Sequence, residues 1–297
     1  MISKENKQKV VKALNEKSGL YPTAAKMAVA LGINPAQLSR IKKGDTEKVL
    51  SDAQWISIAR RLDVGIGTRT ELVPAKTDVF NIITAHLTAC QENSISGLLC
   101  DHADIGKTFT AKHYVKNNPN AVYVDCSQNK RKQQFVRAIA REFGVGHTGR
   151  YKDVYDDLVF YLRSLPSPLI IIDEAGDLSY EAFLELKALW NATEYSCGWY
   201  MMGADGLKAK IDRAINNKKV GYAEIFSRYG NRYQKITPDG REELDNWRKA
   251  QVAAIAKANG VGNIQQLYGK TQGSLRRIYI EIQKMKTLKD GQGIERK

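Results

Sequence analysis

The sequence has 297 residues, 43% of them hydrophobic, and a formal net charge of +14. This length and apolar content predict one large domain with a small satellite or two. No apolar run approaches the roughly 18–20 residues that span a bilayer, and the N-terminal residues lack the apolar region of a signal peptide, so we expect no membrane association. The cysteines show no C-x-x-C spacing, which argues against zinc and predicts reduced thiols in a cytoplasmic protein.

The charge is unevenly distributed along the chain. Lys and Arg exceed Asp and Glu by seven in residues 1–62 and by eleven in residues 207–297, whereas residues 63–206 carry a net charge of −4. Basic flanks around a mildly acidic core are typical of proteins that bind polyanions, because phosphate neutralisation supplies most of non-specific DNA affinity. Solubilising lysines explain the charge alone equally well.

The first 62 residues predict a small all-α domain. Helices are expected over residues 4–17, 24–31, 35–43 and 55–62. The third helix begins with good capping chemistry: Asn34 as the N-cap, Pro35 in the first turn and Gln37 to complete a capping box. The second and third helices, separated by a tight turn, resemble the helix-turn-helix of phage repressors.

The third helix would be the recognition helix of such a domain. Leu38 and Ile41 are expected to face the core, and the opposite face is polar and basic. The residues predicted to face the major groove and the flanking phosphates are Gln37, Ser39, Arg40, Lys42 and Lys43. A helical bundle with a solvated basic face is the alternative interpretation.

Residues 63–76 carry two glycines and a proline without apolar periodicity, which predicts a linker or an extended arm. A domain boundary therefore belongs here. A helix over residues 77–91 follows and leads into the first strand of the next domain.

The chain is organised around residues 96–108, which run from a short apolar strand into a loop ending Gly-Lys-Thr and then into a helix. This is the layout of a phosphate-binding loop, whose backbone N–H groups and following helix N-terminus face phosphates. Lys107 is expected to reach the β- and γ-phosphates, and the Thr108 hydroxyl to ligate Mg²⁺. The sequence therefore predicts a site for ATP and Mg²⁺ whose nucleotide contacts include Ala103, Asp104, Ile105, Gly106, Lys107, Thr108 and Phe109.

One position departs from the usual G-x-x-x-x-G-K-[ST] pattern, because Asp101 stands where the first glycine is expected. An acidic side chain there makes the turn harder to form and places negative charge near a polyphosphate. We expect either weak nucleotide affinity or an Asp101 side chain that points outward.

The apolar run Leu169 to Ile172 is followed by two carboxylates, as expected of a strand buried on both faces of a parallel sheet. Asp173 is predicted to hold the Mg²⁺ shell, and Glu174 to orient and polarise the attacking water. An ordinary α/β turn with an acidic strand end is the alternative interpretation of the two motifs.

Two helix starts between these motifs carry cations. Lys130, Arg131 and Lys132 precede one helix, and Arg150 and Lys152 flank the start of the next. Cations at a helix N-terminus oppose the macrodipole, which favours a role in contacting a phosphate backbone. Solvated helix starts are the alternative.

The remaining elements complete an alternation of strands and helices, which implies a parallel sheet with ligands at the carboxyl strand ends. Further strands are expected over residues 121–126, 199–205 and 233–236, and helices over 151–165 and 180–191. Residues 240–289 are predicted to be helical.

Five features in this order resemble an AAA+ ATPase: the phosphate loop, Asp-Glu after an apolar strand, a polar strand end, an arginine after Phe-Ser, and Gly-Ser-Leu-Arg-Arg in a C-terminal helical region. The resemblance implies that Arg228, or next best Arg232, is a finger that reaches a neighbouring subunit's nucleotide. It also implies that Arg276 senses the γ-phosphate in cis and that Asp205 is the candidate for sensor-1.

The fold class implied is α/β, with an AAA+ P-loop parallel sheet, a C-terminal helical lid and a small all-α helix-turn-helix domain in front. The expected domains are the helix-turn-helix domain at residues 1–62, the linker at 63–76, the nucleotide-binding core at 77–238 and the lid with the C-terminal tail at 239–297.

This architecture is similar to the family of the phage Mu transposition protein B. The resemblance implies an ATPase that forms helical filaments with ATP on duplex DNA, selects target DNA and delivers it to a transposase, which it activates. Hydrolysis then drives disassembly. The candidates for the DNA-contacting inner face are Lys130, Arg131, Lys132, Arg150 and Lys152. Two other functions remain open, a helicase loader or replication initiator and a sequence-specific transcription regulator with an ATPase switch.

Overall fold

The computed structural model describes residues 2–20, 23–62, 64–65 and 72–294, with all their side chains except Leu20, Lys26 and those of residues 287–294. The chain forms two compact units, residues 1–71 and 72–297. Within the described ranges, no helix is both long enough and apolar enough to cross a membrane.

The first unit is a bundle of short helices around one apolar core. They are α1 (Lys4–Glu16), α2 (Ala24–Leu31), α3 (Pro35–Lys42) and α4 (Asp52–Arg61), with a 3₁₀ turn at Lys17–Leu20. The Asn34 side chain accepts from the Gln37 N–H, and the Gln37 side chain accepts from the Asn34 N–H, so the predicted capping box is confirmed. Leu38 and Ile41 are buried with Trp55, as expected.

The second unit is built on a four-stranded parallel sheet. The strands are β1 (Ser96–Cys100), β2 (Ala121–Asp125), β3 (Leu169–Asp173) and β4 (Gly198–Gly203), in the order β1-β4-β3-β2. Asp125 is in register with Asp173, and Cys100 with Gly203, so all four strands end at the same edge. The predicted α/β fold with a parallel sheet is thus confirmed, and the loops that follow the strands converge at that edge.

The predicted fifth strand at residues 233–236 is reduced to a single bridge. The Gln234 N–H donates to the Leu98 carbonyl at 2.8 Å, and the Cys100 N–H donates to the Gln234 carbonyl at 3.1 Å. The prediction was wrong in extent, because the backbone N–H groups of Ile236 and Thr237 donate to a side chain, that of Asp101, and not along β1.

Helices cover both faces of the sheet. They are α5 (Asp78–Asn93), α6 (Lys107–Asn117), α7 (Lys132–Glu142), α8 (Tyr151–Ser164), α9 (Tyr180–Ala192), α10 (Asp205–Asn216) and α11 (Tyr222–Arg228). One core lies between the sheet and α7–α11, and a second between the sheet and α5 and α6. Every residue of β3 is buried, which explains its continuous apolar sequence.

Three further helices form a C-terminal lid: α12 (Arg241–Ala258), α13 (Ile264–Thr271) and α14 (Leu275–Ile294). Val252, Leu267 and Ile278 lie at the centre of its small core, which also includes Ala75. The Val73 N–H and carbonyl both bond to the Asn259 side chain, at 2.9 and 3.2 Å. Residues 72–76, which we predicted as part of a linker, therefore belong to the second unit, because Ala75 and Leu72 pack into the lid core and Val73 bonds to Asn259, the C-cap residue of α12.

Candidate nucleotide-binding site

The phosphate loop joins the end of β1 to the start of α6. Gly106 takes a φ of +106° immediately before α6, a conformation that favours glycine, and Asp104 takes a φ of +61°. A Cβ placed on Gly106 would lie 3.2 Å from Leu275 Cδ1, so the loop and the lid are in close contact at this point. The sequence pattern has thus produced the expected strand-loop-helix geometry.

Lys107 is held inside the loop. Its Nζ donates to the carbonyls of Asp101 and His102 at 2.8 and 2.5 Å, and the residue is 8% exposed. Burial lowers the pKa of Lys107, while the nearby carboxylates, Asp101 and Asp173 first among them, oppose that shift. The two carbonyl contacts fix the ammonium group within the loop.

Asp173, at the end of β3, is the polar centre of the site. Its Oδ2 accepts from the Thr108 hydroxyl at 2.6 Å and from the Tyr123 hydroxyl at 2.8 Å, and its Oδ1 accepts from the Glu174 N–H at 2.9 Å. Tyr123 comes from β2 and was not predicted as a site residue, because an aromatic residue in a buried strand gives no sequence signal of function.

Thr108 and Asp173 present adjacent hydroxyl and carboxylate oxygens, the hard donors that Mg²⁺ prefers. Mg²⁺ in such sites takes only one or two protein ligands and completes its shell with phosphates and water. Among the described residues, no group of three His, Cys, Asp or Glu side chains could hold a metal ion by itself. The residues present therefore fit Mg²⁺ that arrives with a nucleotide.

Glu174 follows Asp173 and lines the pocket. Its φ of +50° is unusual for a residue with a side chain, and it turns the chain sharply at the end of β3. Burial raises the pKa of Glu174, and the neighbouring Asp173 carboxylate adds to this, whereas Lys107 opposes it. A carboxylate with a raised pKa in the pocket wall suits the predicted role of binding and polarising water.

The Asp101 side chain points away from the phosphate-binding side of the loop. It is fully buried and accepts from the N–H groups of His102, Ile236 and Thr237 at 2.7, 2.6 and 2.9 Å, and from the Thr237 hydroxyl. This agrees with the expectation that the Asp101 side chain points out of the loop, and the strength of nucleotide binding stays a prediction. Asp101 fastens the loop to the segment that leads into the lid.

A cavity of about 610 Å³ opens beside the loop. The predicted contacts Ala103 to Phe109 line the cavity, as do Glu174 and Arg276. Asp173 is not among the lining residues, but it is hydrogen-bonded to Thr108, which is. Another wall of the cavity is apolar and comes from the segment before α5, from α5 itself and from the lid: Leu72, Val73, Ala75, Phe80, Ile255 and Ile278. No sequence motif marks this wall, because its members are up to 206 positions apart in the chain.

The two arginines assigned from the resemblance lie in different surroundings. Arg276 lies at the pocket, with its side chain 83% exposed and its Nε 3.8 Å from Asp104 Oδ1. The Arg228 guanidinium lies 5.2 Å above the Trp190 ring, and its Nε donates to Asn191 at 2.7 Å, away from the pocket of its own chain.

The remaining candidates are only partly supported. Arg232 is exposed. Asp205 is exposed as the first residue of α10, and the pocket wall beside it is formed by Ala204. The end of β4 therefore presents no polar side chain of Asp205 to the pocket, which disagrees with a sensor-1 role.

The cationic starts of α7 and α8 lie together on one surface. Glu185, on α9, forms a 2.8 Å ion pair with Lys132, and its carboxylate accepts a 2.5 Å hydrogen bond from the Tyr151 hydroxyl. This residue therefore links the starts of α7 and α8. Arg137 donates to the carbonyls of residues 147 and 149 and holds the loop that carries Arg150.

The five predicted DNA contacts of this surface are not equivalent. Lys130 pairs with Asp177 at 3.0 Å and Lys132 with Glu185, so their charges are partly neutralised. Arg131, Arg150 and Lys152 are exposed and make no ion pair with a described residue. The last three are therefore the stronger candidates.

The predicted recognition helix α3 is also only partly available. Gln37 is used internally, since its Oε1 accepts from Asn34 and its Nε2 donates to the Val49 carbonyl. Arg40 is bonded twice to Asp45, at 2.9 and 2.7 Å. Ser39, Lys42 and Lys43 are exposed. Gln37 is thus better explained as a structural residue, because both ends of its amide are satisfied within the bundle.

Comparisons with known proteins agree with this geometry. The family described as "AAA domain" matches residues 91–211. The Mu-like prophage FluMu DNA transposition protein B of Haemophilus influenzae is 23% identical over 265 residues, which are 86% of this chain and 88% of that protein. The structure of the Aeropyrum pernix ORC2 protein in ADPNP-ADP complexes superposes with a TM-score of 0.52 at 15% identity.

The match to that structure covers 72% of this chain and 62% of the other, and at this identity it concerns the fold alone. Residues 91–211 include the phosphate loop, Asp173 and Glu174, so the family match and the geometry of the site coincide. The resemblance expected from the motifs is confirmed: the chain contains an AAA domain and is a distant homologue of a Mu-like prophage DNA transposition protein B.

Proposed function

We propose that the protein is an ATP-dependent DNA-binding ATPase of DNA transposition. In this proposal it assembles on duplex DNA, selects target DNA and delivers it to a transposase, and hydrolysis releases it. A role in DNA transposition, and with it a transposase partner, is proposed because the Haemophilus relative is named a DNA transposition protein and aligns over most of both chains.

The AAA domain would bind ATP with Mg²⁺, which supplies charge neutralisation at the phosphates. Lys107 would hold the β- and γ-phosphates, Thr108 and Asp173 would provide metal ligands, and Glu174 would orient and polarise the attacking water. The apolar wall of the cavity suits the base, since ligand pockets are lined predominantly by apolar and aromatic side chains. Arg276 reaches this pocket from the lid, and Arg228 would reach the nucleotide of a neighbouring subunit.

DNA would lie on the surface formed by the starts of α7 and α8. On this surface Arg131, Arg150 and Lys152 are exposed and make no ion pair with a described residue. Cations in such a position neutralise backbone phosphates independently of sequence.

One observation carries the coupling between the two sites. The Ser179 N–H donates to the Lys130 carbonyl at 2.8 Å, and Lys130 Nζ pairs with Asp177 at 3.0 Å. Both partners lie within five residues of Glu174, so the turn after the catalytic glutamate contacts the cationic segment directly. A shift of this turn with nucleotide state would move Lys130 and its neighbours against the DNA.

The test combines electron microscopy with fluorescence anisotropy on random-sequence duplex DNA, in ATP, in ADP and without nucleotide. We expect filaments and tight binding in ATP only. Glu174→Gln should block hydrolysis and prolong the DNA-bound state, and Lys107→Met should abolish both ATP binding and filaments. Binding to one sequence regardless of nucleotide, or rapid release of Glu174→Gln from DNA in ATP, would contradict the proposal.

A further inference from the structure

Asp104, in the middle of the phosphate loop, connects the loop to the lid. Its Oδ2 accepts from the Ser274 hydroxyl at 2.6 Å, and its Oδ1 accepts from the Arg276 N–H at 3.2 Å. The Ser274 hydroxyl oxygen also accepts from the Arg277 N–H at 3.3 Å, so Ser274 caps α14 while it bonds to Asp104. The carboxylate thus lies at the N-terminus of the last helix of the lid.

These contacts place α14 with its positive end against a negative group. A helix N-terminus has unpaired N–H groups and a partial positive charge, and an aspartate there is stabilising. Hydrogen bonds with one ionised partner are also stronger than neutral ones. Asp104 supplies both effects from outside the helix, 170 residues away in sequence from Ser274.

The same end of α14 forms part of the pocket. Leu275 Cδ1 lies 3.2 Å from the point where a Cβ on Gly106 would stand. Leu275, Arg276 and Ile278 line the cavity. The Arg276 side chain is 83% exposed, so burial does not hold it in place; the residue is fixed by the hydrogen bond from its backbone N–H to Asp104. The Asp104 side chain is 24% exposed. The direction in which Arg276 leaves the lid therefore depends on where Asp104 fixes the helix.

We propose that Asp104 is a positioning residue that latches the N-terminus of α14 to the phosphate loop and so sets the place of Arg276 at the nucleotide. This rests on the proposed binding of ATP. Asp101 is the complementary fixed attachment, since it is fully buried and holds residues 236 and 237 at the other end of the lid. Asp104 is the attachment that can open, because it is partly exposed.

Two variants remove the latch from opposite sides. Asp104→Gly removes the carboxylate without backbone strain, because glycine accepts the φ of +61° at this position. Ser274→Ala removes the hydroxyl on the lid. Asp104→Asn keeps an acceptor but loses the charge, and Asp157→Ala removes an exposed carboxylate from α8 as a charge-matched control.

The first measurement is the dissociation rate of a fluorescent ATP analogue by stopped flow. We expect Asp104→Gly and Ser274→Ala each to accelerate dissociation about tenfold, the effect of losing one interaction of about 1.4 kcal/mol. The effect of the double variant should be smaller than the product of the two single effects, because both variants remove the hydrogen bond between Ser274 and Asp104. Asp104→Asn should be intermediate, and Asp157→Ala should match the wild type.

The second measurement is amide hydrogen exchange of residues 275–281 without nucleotide, where Asp104→Gly should accelerate exchange. Unchanged dissociation in Asp104→Gly, additive effects in the double variant, or a lowered melting temperature alone would overturn the latch. If the wild type binds no ATP analogue, the proposed function fails, and the exchange measurement still decides whether Asp104 holds α14.

Discussion

The Thr108 hydroxyl donates a 2.6 Å hydrogen bond to Oδ2 of Asp173, which joins two motifs 65 residues apart in sequence. The Tyr123 hydroxyl bonds to the same oxygen at 2.8 Å. Nucleophile positioning and metal binding in the proposed reaction would both depend on this cluster, because Glu174 follows Asp173 directly and its N–H donates to the other carboxylate oxygen.

Thr108→Val should separate the hydroxyl from the shape of the side chain. We expect Mg²⁺-dependent ATP affinity to fall at least about 30-fold, since roughly 2 kcal/mol of metal and hydrogen-bond interaction is lost. Thr108→Ser should retain most of the affinity. Titration with a fluorescent nucleotide in Mg²⁺ and in EDTA checks this, and equal affinities of Thr108→Val and wild type in Mg²⁺ would argue against the metal role.

Asp101→Gly would restore the usual glycine of the loop, yet we expect it to destabilise the protein. The buried carboxylate accepts four hydrogen bonds, and its removal leaves the N–H groups of Ile236 and Thr237 without partners. The free energy of unfolding should fall by about 3 kcal/mol, measured by urea denaturation. An unchanged midpoint would show that this aspartate is dispensable for the fold.

Asp101 also predicts a pH dependence. Burial acts to raise the pKa of Asp101, but the hydrogen bonds from Thr237, Ile236 and His102 outweigh it and lower the pKa from 3.8. Because the folded-state pKa is the lower one, this stabilisation is complete above the unfolded-state pKa of about 3.9 and is lost as the pH falls through the folded value. The stability difference between wild type and Asp101→Asn should therefore be constant from pH 5 to 7 and shrink below about pH 3.9.

Arg131→Glu and Arg150→Glu should weaken DNA binding without unfolding the protein, since both side chains are exposed and make no ion pair with a described residue. Each should reduce the slope of log affinity against log salt by about 1 or more, as expected for a lost phosphate contact. Lys116→Glu, at the C-terminal end of α6, is the matched control. Salt titrations of anisotropy measure the slopes, and an equal effect of the control would point to net charge alone.

Arg228→Ala should separate assembly from nucleotide binding. Arg228 stacks on Trp190 and bonds to Asn191, outside the pocket of its own chain. We expect unchanged ATP affinity in the monomer but loss of ATP-dependent assembly and at least about a hundredfold slower hydrolysis, as for other arginine fingers. Sedimentation and phosphate release test the two effects, and full ATPase activity in an assembled variant would exclude the finger role.

The sequence predicted the strand-loop-helix around Lys107, the buried strand before Asp173 and the capping box of α3, because these depend on neighbours in sequence. Periodicity, cap residues and the Gly-Lys-Thr pattern act over a few residues, and β3 is apolar throughout since both its faces are covered. The predicted extent of the fifth strand was wrong because its pairing depends on a residue distant in sequence: the Ile236 N–H bonds to the Asp101 side chain and not to β1.

Only the tertiary structure decided how Asp101 and Asp104 are used. Asp101 was expected to be unfavourable beside a polyphosphate and Asp104 to contact the nucleotide, yet both accept hydrogen bonds from residues more than 130 positions away. The apolar wall of the pocket and the joining of α7 and α8 by Glu185 likewise depend on long-range packing. Local sequence specifies which groups are available, whereas the partners of a buried carboxylate are set by which segments the completed fold places against it.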